Sequence, residues 1–507
     1  MKSVQIHRHY TSHHGTYIEP LRVLKEYRVL SVAMLSINIR DRSRNILFGT
    51  HSMAIRILDV LNFSNGRNPL GDSGVRLQKE LIECLCRRRP DFFFYLLIPK
   101  EMEAALRPLF KTKNVELIPS GCISRQQGGA YHFDVREIRK TFDLYRFDVD
   151  LLFINQPELT PAFLNYFNKV HFFDIHSLGY VHWMDWRRYD NVKNRWNIPA
   201  NLATLTSILL SEATGCNSSY GKRRILEQAM RFFNEPAVKE IGRKLVVLRP
   251  GVNVREILAA RTRRHNRLKT LIAPYRTQKY TGFKSLVEIH LAQLWKERKD
   301  FQLILTNPSA YAYVKKYSEK YPFVRVCDFT RAEYLEALWQ ADIVVGCHPG
   351  ASQWSLAVTE ALAADCIPLL NEEGFLKELL MDPLPLSEHG VILDKYFYYR
   401  SNFRKKLSYL LDNLTGERRC GRNIGKRIRQ FYDWERRIED WIEVLDRADM
   451  ASPELKSATA ITRKIDRLPY TRVVGEGLSA LCAATFPRCA EMFDLVKCRL
   501  IQVKVLS

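Results

Sequence analysis

The stretch that decides the fold runs from Ala341 to Leu370 and consists of ADIVVGC, HPGAS, QWSLAVTEALAAD and CIPLL in that order. Short apolar runs rich in β-branched residues and bounded by turn residues are typical of strands that are covered on both faces. The pattern therefore predicts a buried strand, a Gly/Pro loop, a helix over 353–364 and a second buried strand. Ser352 is the expected N-cap of the helix. Unpaired N–H groups and the dipole at such a helix start favour an anion.

Glu360 lies two turns into this predicted helix, on a face that is otherwise apolar. The apolar neighbours on that face are Leu356, Val358, Ala361 and Leu362. An acid in such surroundings needs a polar partner, because burying an unpaired charge is costly. One interpretation is that Glu360 reaches water or an arginine, and the other is that it binds the two hydroxyls of a ribose.

Strands and helices alternate on both sides of the deciding stretch. A first series begins with IRILDVL at Ile55 and closes with LVVLRPGV, and a second series begins with KTLIAPY at Lys269. The alternation predicts an α/β fold of two Rossmann-like doubly wound parallel-sheet domains that face a cleft, with N- and C-terminal appendages. The expected division is an N-terminal extension (1–52), a first domain (53–251), a linker (252–268), a second domain (269–416), helices packing back across the cleft (417–447) and a tail of uncertain structure (448–507). Met53 is expected to be the functional start.

Composition narrows the class of protein. The chain has 507 residues, of which 46% are hydrophobic and 26% charged, which is typical of a folded protein with more than one domain. No apolar run reaches the ~20 residues of a membrane span, and Phe92–Pro99 is expected to be a buried strand. The 11 cysteines form neither a CxxC pair nor a zinc-type spacing. We therefore expect a cytoplasmic protein with unbridged thiols.

The formal net charge of +23 comes from several basic runs and not from one tail. These runs lie at 87–89, 222–224, 261–269, 404–406 and 418–429. Such a balance raises affinity for polyanions, either nucleic acid or an anionic membrane face. The alternative is a basic enzyme that needs positive potential only for an anionic substrate.

Two places besides the deciding stretch carry candidate site residues. The loop YRTQKYTGFKSL follows the first strand of the second domain, and its Arg276, Lys279 and Lys284 would face a diphosphate in the interdomain crevice. In the first domain, Gly71 and Gly74 follow the first strand, where glycines let the backbone approach a ligand closely.

A histidine and a possible metal motif are further candidates. His176 follows HFFDI and is expected at the carboxyl end of a strand, again at the crevice. Asp148-Val149-Asp150 has the form of a metal-binding DxD, but it stands where a strand enters the sheet, so no metal is expected. The chain contains no GxxxxGK[ST] loop, no GxGxxG after a strand and no GxSxG elbow, which argues against kinases, Rossmann dehydrogenases and α/β-hydrolases.

Over about residues 53–447 these features resemble the two-domain GT-B glycosyltransferases, most closely the retaining enzymes of glycosyltransferase family 4. The segment from Ser352 to Glu360 is similar to the E-x7-E stretch of that family. Glu360 matches the second glutamate, which binds the nucleotide ribose, while Ser352 stands in place of the first. Arg276 matches the diphosphate-binding arginine of the R-x4-KG pattern. Thr281 replaces the lysine of that pattern, so Lys279 or Lys284 would supply the charge.

Further segments extend the resemblance and define the expected chemistry. VVLRPGV is similar to the interdomain hinge, with Arg249 in place of its first proline, and GCNSSYGKRRIL resembles the Asn-Ser strand end. His176 would stand near the transferred sugar. The resemblance implies a retaining, metal-independent transfer from a UDP- or GDP-linked sugar, with His176 and Arg276 as catalytic residues. Donor contacts would come from Gly71, Gly74, Arg276, Lys279, Lys284, Gly350, Ser352, Ser355 and Glu360, with no cofactor besides the donor substrate.

The acceptor is the open part of this prediction. DLLFINQPELTPAF, IHS and YRTQKYTGF are faintly similar to the DNA glucosyltransferases of T-even phages. A hydroxymethylated DNA base would suit the basic charge, with Trp183, Trp186 and Trp196 stacking on a flipped base. A lipid-linked or polysaccharide acceptor beside an anionic membrane is the rival. A third hypothesis, motivated by Ser352 and Thr281, is a non-catalytic nucleic-acid-binding protein on this scaffold.

Overall fold

The computed structural model describes most of the chain between Ala54 and Met450. The described residues are 54–61, 72–121, 123–125, 131–133, 141, 149–171, 175–182, 184, 197–265, 267–275, 282–306, 312–347 and 353–450. The expected extension over 1–52, the expected tail over 448–507 beyond Met450, and the side chains of Trp183, Trp186 and Trp196 lie outside these residues.

The first domain is built on a seven-stranded parallel sheet. Its strands and those of a small hairpin are β1 (Ile55–Val60), β2 (Phe92–Pro99), β3 (Val115–Ser120), β4 (Ile123–Arg125), β5 (Tyr131–Phe133), β6 (Leu151–Ile154), β7 (His176–Val181), β8 (Ala213–Cys216) and β9 (Leu245–Val247). The sheet order is β3-β2-β1-β6-β7-β8-β9, and the antiparallel β4 and β5 form the hairpin. Strands such as β2, with the sequence FFFYLLIP, are buried along almost their whole length because both faces of the sheet are covered.

Helices cover this sheet. They are α1 (Ser73–Arg88), α2 (Glu103–Leu106), α3 (Thr160–His171), α4 (Asn197–Leu210), α5 (Ser219–Phe232) and α6 (Glu235–Lys244), with 3₁₀ turns at Lys100–Met102 and Pro157–Leu159. The sequence pattern placed the start of α1 at Val75 and that of α4 near Ala203, so both helices begin earlier than expected. Asp72 explains the earlier start of α1, because its carboxylate caps the backbone N–H of Gly74.

The second domain has a six-stranded parallel sheet. Its strands are β10 (Lys269–Ala273), β11 (Phe301–Thr306), β12 (Val324–Cys327), β13 (Ile343–Gly346), β14 (Ile367–Asn371) and β15 (Phe397–Tyr398), in the order β12-β11-β10-β13-β14-β15. In each sheet the chain order reverses beside the first strand, at β1/β6 and at β10/β13. Ligands of open α/β sheets bind at the carboxyl ends of the strands beside such a reversal. The expected pair of doubly wound parallel sheets is confirmed.

The remaining helices belong to the linker, the second domain and the C-terminal region. They are α7 (Val254–Ala259), α8 (Phe283–Ser285), a π-helical turn (Leu286–Leu291), α9 (Ala292–Glu297), α10 (Ala312–Lys320), α11 (Arg331–Gln340), α12 (Leu356–Ala363), α13 (Leu376–Met381), a 3₁₀ turn (Leu386–Glu388), α14 (His389–Tyr396), α15 (Phe403–Asp412), α16 (Leu414–Tyr432) and α17 (Trp434–Met450). The stretch interpreted as a charged linker thus contains α7. No helix in the described part of the chain has the length and apolar character needed to cross a membrane.

The chain returns to the first domain through α17. Trp441 on this helix is 2% exposed, and its ring lies 4.8 Å from that of Tyr180 in β7. A second crossing runs alongside, where Val252 forms a parallel bridge with Asp433. Gly251 allows this close approach, because a Cβ there would lie 2.5 Å from the Trp434 ring. The two crossing segments therefore pack directly on each other.

Candidate functional site

Capped helix starts gather where the carboxyl ends of the two sheets meet. Asp72 caps α1 at Gly74 N–H, and Ser218 caps α5 at Gly221 N–H, each over 2.9 Å. In the second domain, Ser355 caps α12 by accepting from Val358 N–H over 3.3 Å. Each helix start carries partial positive charge from its dipole. The arrangement concentrates positive potential between the domains.

A chain of hydrogen bonds joins these helix starts. Ser73 Oγ lies 3.3 Å from His182 Nε2, and Asn217 Nδ2 donates to the His182 carbonyl over 3.0 Å. The next residue, Ser218, donates from its Oγ to the Gln353 carbonyl of the second domain over 2.9 Å. The chain thus crosses from the end of β7, past the end of β8, to the loop before α12. These side chains fix the mutual position of the two carboxyl edges.

The start of α5 is already occupied by a carboxylate of the second domain. Glu378 on α13 accepts from Ser219 N–H over 2.7 Å and from Tyr220 N–H over 2.8 Å. Arg249, close to Val252 in the second crossing segment, donates to Glu378 over 3.0 Å and lies 2.6 Å from Asp382. Glu378 thus occupies the start of α5 from the other domain, whereas α1 and α12 are capped by their own N-cap residues, Asp72 and Ser355.

Glu360 joins α1 and α12 one turn in from their starts. Its side chain is 1% exposed, with Oε1 2.6 Å from Arg331 Nη2 and Oε2 3.1 Å from Arg76 Nη2. Arg331 belongs to α11 of the second domain and Arg76 to α1 of the first. Of the two interpretations of Glu360, the structure therefore contains the arginine partners, and it contains two of them from different domains.

The ion cluster continues on both sides of Glu360. Arg331 also donates to both oxygens of Glu256 on α7, over 3.1 and 2.8 Å. Arg76 lies 3.8 Å from Glu80, whose Oε2 accepts from Trp434 Nε1 over 2.6 Å. The cluster therefore links both domains, α7 and the start of α17.

Burial and charge act in opposite directions on the acids of this cluster. Burial acts to raise the pKa of Glu360, but the charges of Arg331 and Arg76 outweigh it and hold that pKa below its usual range. At Glu80 the balance is reversed, since burial raises the pKa more than Arg76 lowers it. Glu360 is consequently ionised at neutral pH.

A second buried acid lies in β1. Asp59 is 0% exposed, and its Oδ1 accepts from Gln78 Nε2 of α1 over 2.6 Å. Its other oxygen, Oδ2, has no hydrogen-bond partner among the residues that the structure describes. Burial raises the pKa of Asp59 well above its usual value, with the Gln78 hydrogen bond opposing the shift. The sequence pattern gave no reason to single out this residue.

His176 is not where the sequence pattern placed it. It is the first residue of β7 and pairs with Leu151, the first residue of β6, so it lies at the amino edge of the sheet. Its Nδ1 is 3.2 Å from Glu212 Oε1, and this hydrogen bond is the main cause of a lowered Glu212 pKa. The error has a physical reason: the strand is HSLGYV (176–181), whereas HFFDI precedes it.

His182, which the sequence analysis missed, is the histidine at the carboxyl edge. It directly follows β7 and lies between Ser73 and Asn217. The sequence contains a signal for it, since GYVHW ends a strand with a polar residue. The apolar run HFFDI, however, predicts a strand five residues too early.

The helix of the deciding stretch begins later than the sequence predicts. The helix spans Leu356–Ala363 with Ser355 as its N-cap, so it begins later than the expected 353–364 and Ser352 is not the cap. The Ser355 hydroxyl is the one that reaches a helix N–H. Ser352 and Gly350 themselves lie outside the described residues, as do Gly71, Arg276 and Lys279.

The other predicted residues have ordinary local contacts. Gly74 is buried in the first turn of α1, and Lys284 is 63% exposed in α8, with its Nζ 3.8 Å from Glu288. Asp150 accepts from Arg56 N–H over 2.9 Å at the amino end of β6, which is a sheet-edge contact. Within the described ranges, no group of three or more His, Cys, Asp or Glu residues could hold a metal ion.

Comparison with known proteins identifies the fold. The chain matches no protein-family model and no curated protein. HepE of Anabaena, in complex with UDP, is 12% identical with a TM-score of 0.55, covering 78% of this chain and 100% of that chain. A glycosyltransferase from Rickettsia africae is 14% identical with a TM-score of 0.55, covering 78% and 98%. Sucrose-phosphate synthase from Thermosynechococcus elongatus is 13% identical with a TM-score of 0.55, covering 78% and 100%.

At these identities the likeness concerns the fold, and it extends over nearly the whole of each matched structure. The expected GT-B fold of two Rossmann-like domains is therefore confirmed.

Proposed function

We propose that the chain is a glycosyltransferase that moves a sugar from a nucleotide-sugar to an acceptor hydroxyl. The observation that carries the proposal is the contact between α1 and α12. Arg76 of α1 and Glu360 of α12 form an ion pair over 3.1 Å, each about one turn from the capped start of its helix. Helix starts are suited to bind a diphosphate, which is the leaving group of such a transfer. The fold shared with HepE, which was solved with UDP-glucose, supports the same class.

The proposal assigns roles to residues at the carboxyl edges. Gly74 and Ser355 stand at the two helix starts, and His182, at the end of β7, contacts Ser73 of the first of them. We assign to His182 the position beside the transferred sugar. Arg276 would stabilise the charge that develops on the diphosphate, together with Lys279 or Lys284, and Gly71, Gly350 and Ser352 would complete the donor contacts. The family 4 resemblance supports a retaining transfer that needs no metal.

Glu360 enters the proposal as the ribose ligand. Its Oε1 is held by Arg331 within the same domain, while Oε2 faces Arg76 of the other domain. Two ribose hydroxyls would replace Arg76 at Oε2 and leave the Arg331 pair in place. Donor binding would then exchange an interdomain ion pair for a ligand contact.

The acceptor in this proposal is a hydroxymethylated base in DNA. The net charge of +23 and the faint similarity to the DNA glucosyltransferases support it. A glycan or lipid-linked acceptor is the rival within the same reaction class. A radiolabelled donor distinguishes the two, because the labelled sugar is transferred to DNA in one case and to the glycan or lipid in the other.

The experiment compares the histidines at the two ends of β7, His176 and His182. Purified protein is incubated with radiolabelled UDP-glucose or GDP-glucose and a duplex that carries hydroxymethylcytosine, with unmodified duplex as the acceptor control. We expect label in the modified duplex only, a loss of at least about a hundredfold in His182→Ala, and near-normal transfer in His176→Ala. Equal losses in both variants would contradict the assignment of His182. Absence of donor hydrolysis and transfer with any acceptor would contradict the proposal itself.

One observation favours a second candidate, a binding protein without catalysis. Glu360 already has two arginine partners, which is the arrangement expected if it only joins the domains. On this hypothesis UDP and GDP produce no saturable heat in calorimetry, and Glu360→Gln changes stability alone.

A further inference from the structure

A row of cations lines the exposed face of α16. Arg419, Arg422 and Lys426 are exposed and follow the spacing i, i+3, i+7, which places them on one side of a helix. They span about 10 Å along the helix axis. The row is therefore a continuous positive stripe and not three isolated charges.

One flank of α16, between this row and the buried face of the helix, carries cations that are already neutralised. Arg418 Nη2 lies 2.8 Å from Asp342 Oδ1, and Arg429 Nη1 lies 2.6 Å from Asp365 Oδ1. These pairs attach α16 to the residues that precede β13 and β14. The inner cations of the helix are thus structural.

The basic segment between α7 and β10 lies beside this helix. Arg264 Nη2 donates to the Asp365 carbonyl over 3.1 Å, and its Nη1 lies 3.8 Å from Asp342 Oδ1. Arg264 therefore contacts the same two residues, Asp342 and Asp365, as Arg418 and Arg429 do. No acid occurs between Ile257 and Leu268, so the segment adds only positive charge.

Six exposed cations together form what we name the basic ridge. They are Arg261, Arg263, Arg267, Arg419, Arg422 and Lys426. None of the six has a carboxylate partner within the residues that the structure describes, although Arg261 lies over the Trp339 ring at 5.2 Å. Unpaired like charges in proximity create a potential that attracts a polyanion.

The basic ridge is separate from the candidate active site. Asp342 and Asp365, which fix its position, stand at the amino ends of β13 and β14. The donor site of the proposal lies at the carboxyl ends of the same sheet. A ligand on the ridge is consequently not in the cleft.

We infer that the basic ridge binds the phosphodiester backbone of nucleic acid, without regard to base sequence. Five of its six cations are arginines, whose guanidinium groups bind phosphate oxygens in pairs. The exposed residues of α16 are otherwise Thr415, Gly416, Asn423 and Gln430, so the helix presents no apolar side chain for insertion into lipid. The inference holds whether or not the chain transfers a sugar.

The test uses the full chain and a fluorescently labelled 30-base-pair duplex in anisotropy titrations between about 50 and 200 mM salt. The ridge variant combines Arg419→Gln, Arg422→Gln and Lys426→Gln. The matched control combines Lys315→Gln, Lys316→Gln and Lys320→Gln on α10, which removes the same net charge from exposed positions elsewhere.

We expect the ridge variant to bind the duplex at least about tenfold more weakly at low salt, with a salt slope reduced by about 2 to 3. The control variant is expected to stay within about threefold of the natural protein, because the local potential decides binding. Equal losses in both variants would overturn the inference, since net charge alone would then explain binding. Unchanged binding in the ridge variant would also overturn it.

A parallel titration with vesicles of mixed anionic and zwitterionic lipid separates the two polyanions. Leu258 and Leu268, which are 41% and 40% exposed beside the arginines of the linker, make this comparison necessary. Vesicle binding that is lost in the ridge variant, with duplex binding unchanged, would assign the ridge to lipid and overturn the nucleic-acid inference. Since both measurements report binding and not transfer, their outcome does not depend on the proposed reaction.

Discussion

Asp59 and Glu360 are both fully buried acids, one in each domain, yet their surroundings favour opposite charge states. Asp59 accepts from the Gln78 amide and has no cation beside it in the contacts that the structure describes, and burial raises its pKa well above the usual value. Burial acts on Glu360 in the same direction, but Arg331 and Arg76 hold its pKa below the usual range. The same loss of solvent therefore favours the neutral form of the acid in one domain, whereas two arginines favour the charged form in the other.

The difference shows which acid joins the domains. Asp59 accepts its hydrogen bond from Gln78, on the helix that covers its own sheet. An ionised Glu360 needs cations, and these come from α11 of its own domain and α1 of the other. A buried charge is costly unless it is paired, so removal of either side leaves an uncompensated ion.

The largest expected effect is that of Glu360→Gln. The variant leaves Arg331 and Arg76 without their shared carboxylate, and we expect the free energy of unfolding to fall by about 3 kcal/mol. Urea unfolding followed by circular dichroism measures the change. Glu336→Gln, an exposed acid on α11, is the matched control and should stay within about 0.5 kcal/mol of the natural protein. A variant as stable as this control would contradict the ion cluster.

The two arginines should contribute unequally. Arg331→Gln removes hydrogen bonds to both Glu360 and Glu256, whereas Arg76→Gln removes two longer ion pairs, at 3.1 Å with Glu360 and 3.8 Å with Glu80. We expect a loss of about 2 to 3 kcal/mol for Arg331→Gln and about half of that for Arg76→Gln in the same unfolding assay. The reverse order would mean that the interdomain pair dominates the cluster.

The same cluster predicts how stability depends on pH. The folded pKa of Glu360 is lowered, so its contribution is present above the unfolded value of about 4.3 and is lost as the pH falls through the folded pKa. The stability gap between the natural protein and Glu360→Gln should therefore narrow in acid. Thermal melts at a series of pH values measure it, and a gap that widens toward low pH would contradict the ionised state.

Asp59→Asn is expected to have the smallest effect and the opposite sign. Because the folded pKa is raised, the cost of keeping Asp59 protonated is absent below its unfolded pKa of about 3.9 and grows as the pH rises. The amide retains an acceptor for Gln78, so we expect the melting temperature to rise slightly at pH 7 and to be unchanged near pH 4. A fall at pH 7 would indicate that Asp59 is ionised in the folded protein.

The sequence was sufficient for the fold because the strands are nearly continuous apolar runs. Patterns of apolar and polar residues within about thirty residues of sequence predict the two sheets and the elements of the deciding stretch. They also predict that Glu360 needs a polar partner. The strand that contains His176 could not be placed in this way, because HFFDI is as apolar as the strand that follows it.

Contacts between distant segments were beyond the sequence pattern. Arg76, Arg331 and Glu256 lie far from Glu360 along the chain, and only the packing of the domains brings their side chains together. Asp59 has an ordinary place in a strand pattern, so its buried carboxyl could not be recognised. Sequence spacing alone does not decide which serine hydroxyl reaches a free N–H of the helix. In the structure that hydroxyl belongs to Ser355 and not to Ser352.

The most direct test of the central claim is calorimetric titration of UDP and GDP into the natural protein and into Ser355→Ala. We predict one saturable site for one of the nucleotides, with a dissociation constant of about 1 µM to 1 mM. We also predict weaker binding in Ser355→Ala, which loses the cap of α12. Absence of saturable heat with both nucleotides, in protein that circular dichroism shows to be folded, would contradict the claim that this cleft binds a nucleotide-sugar.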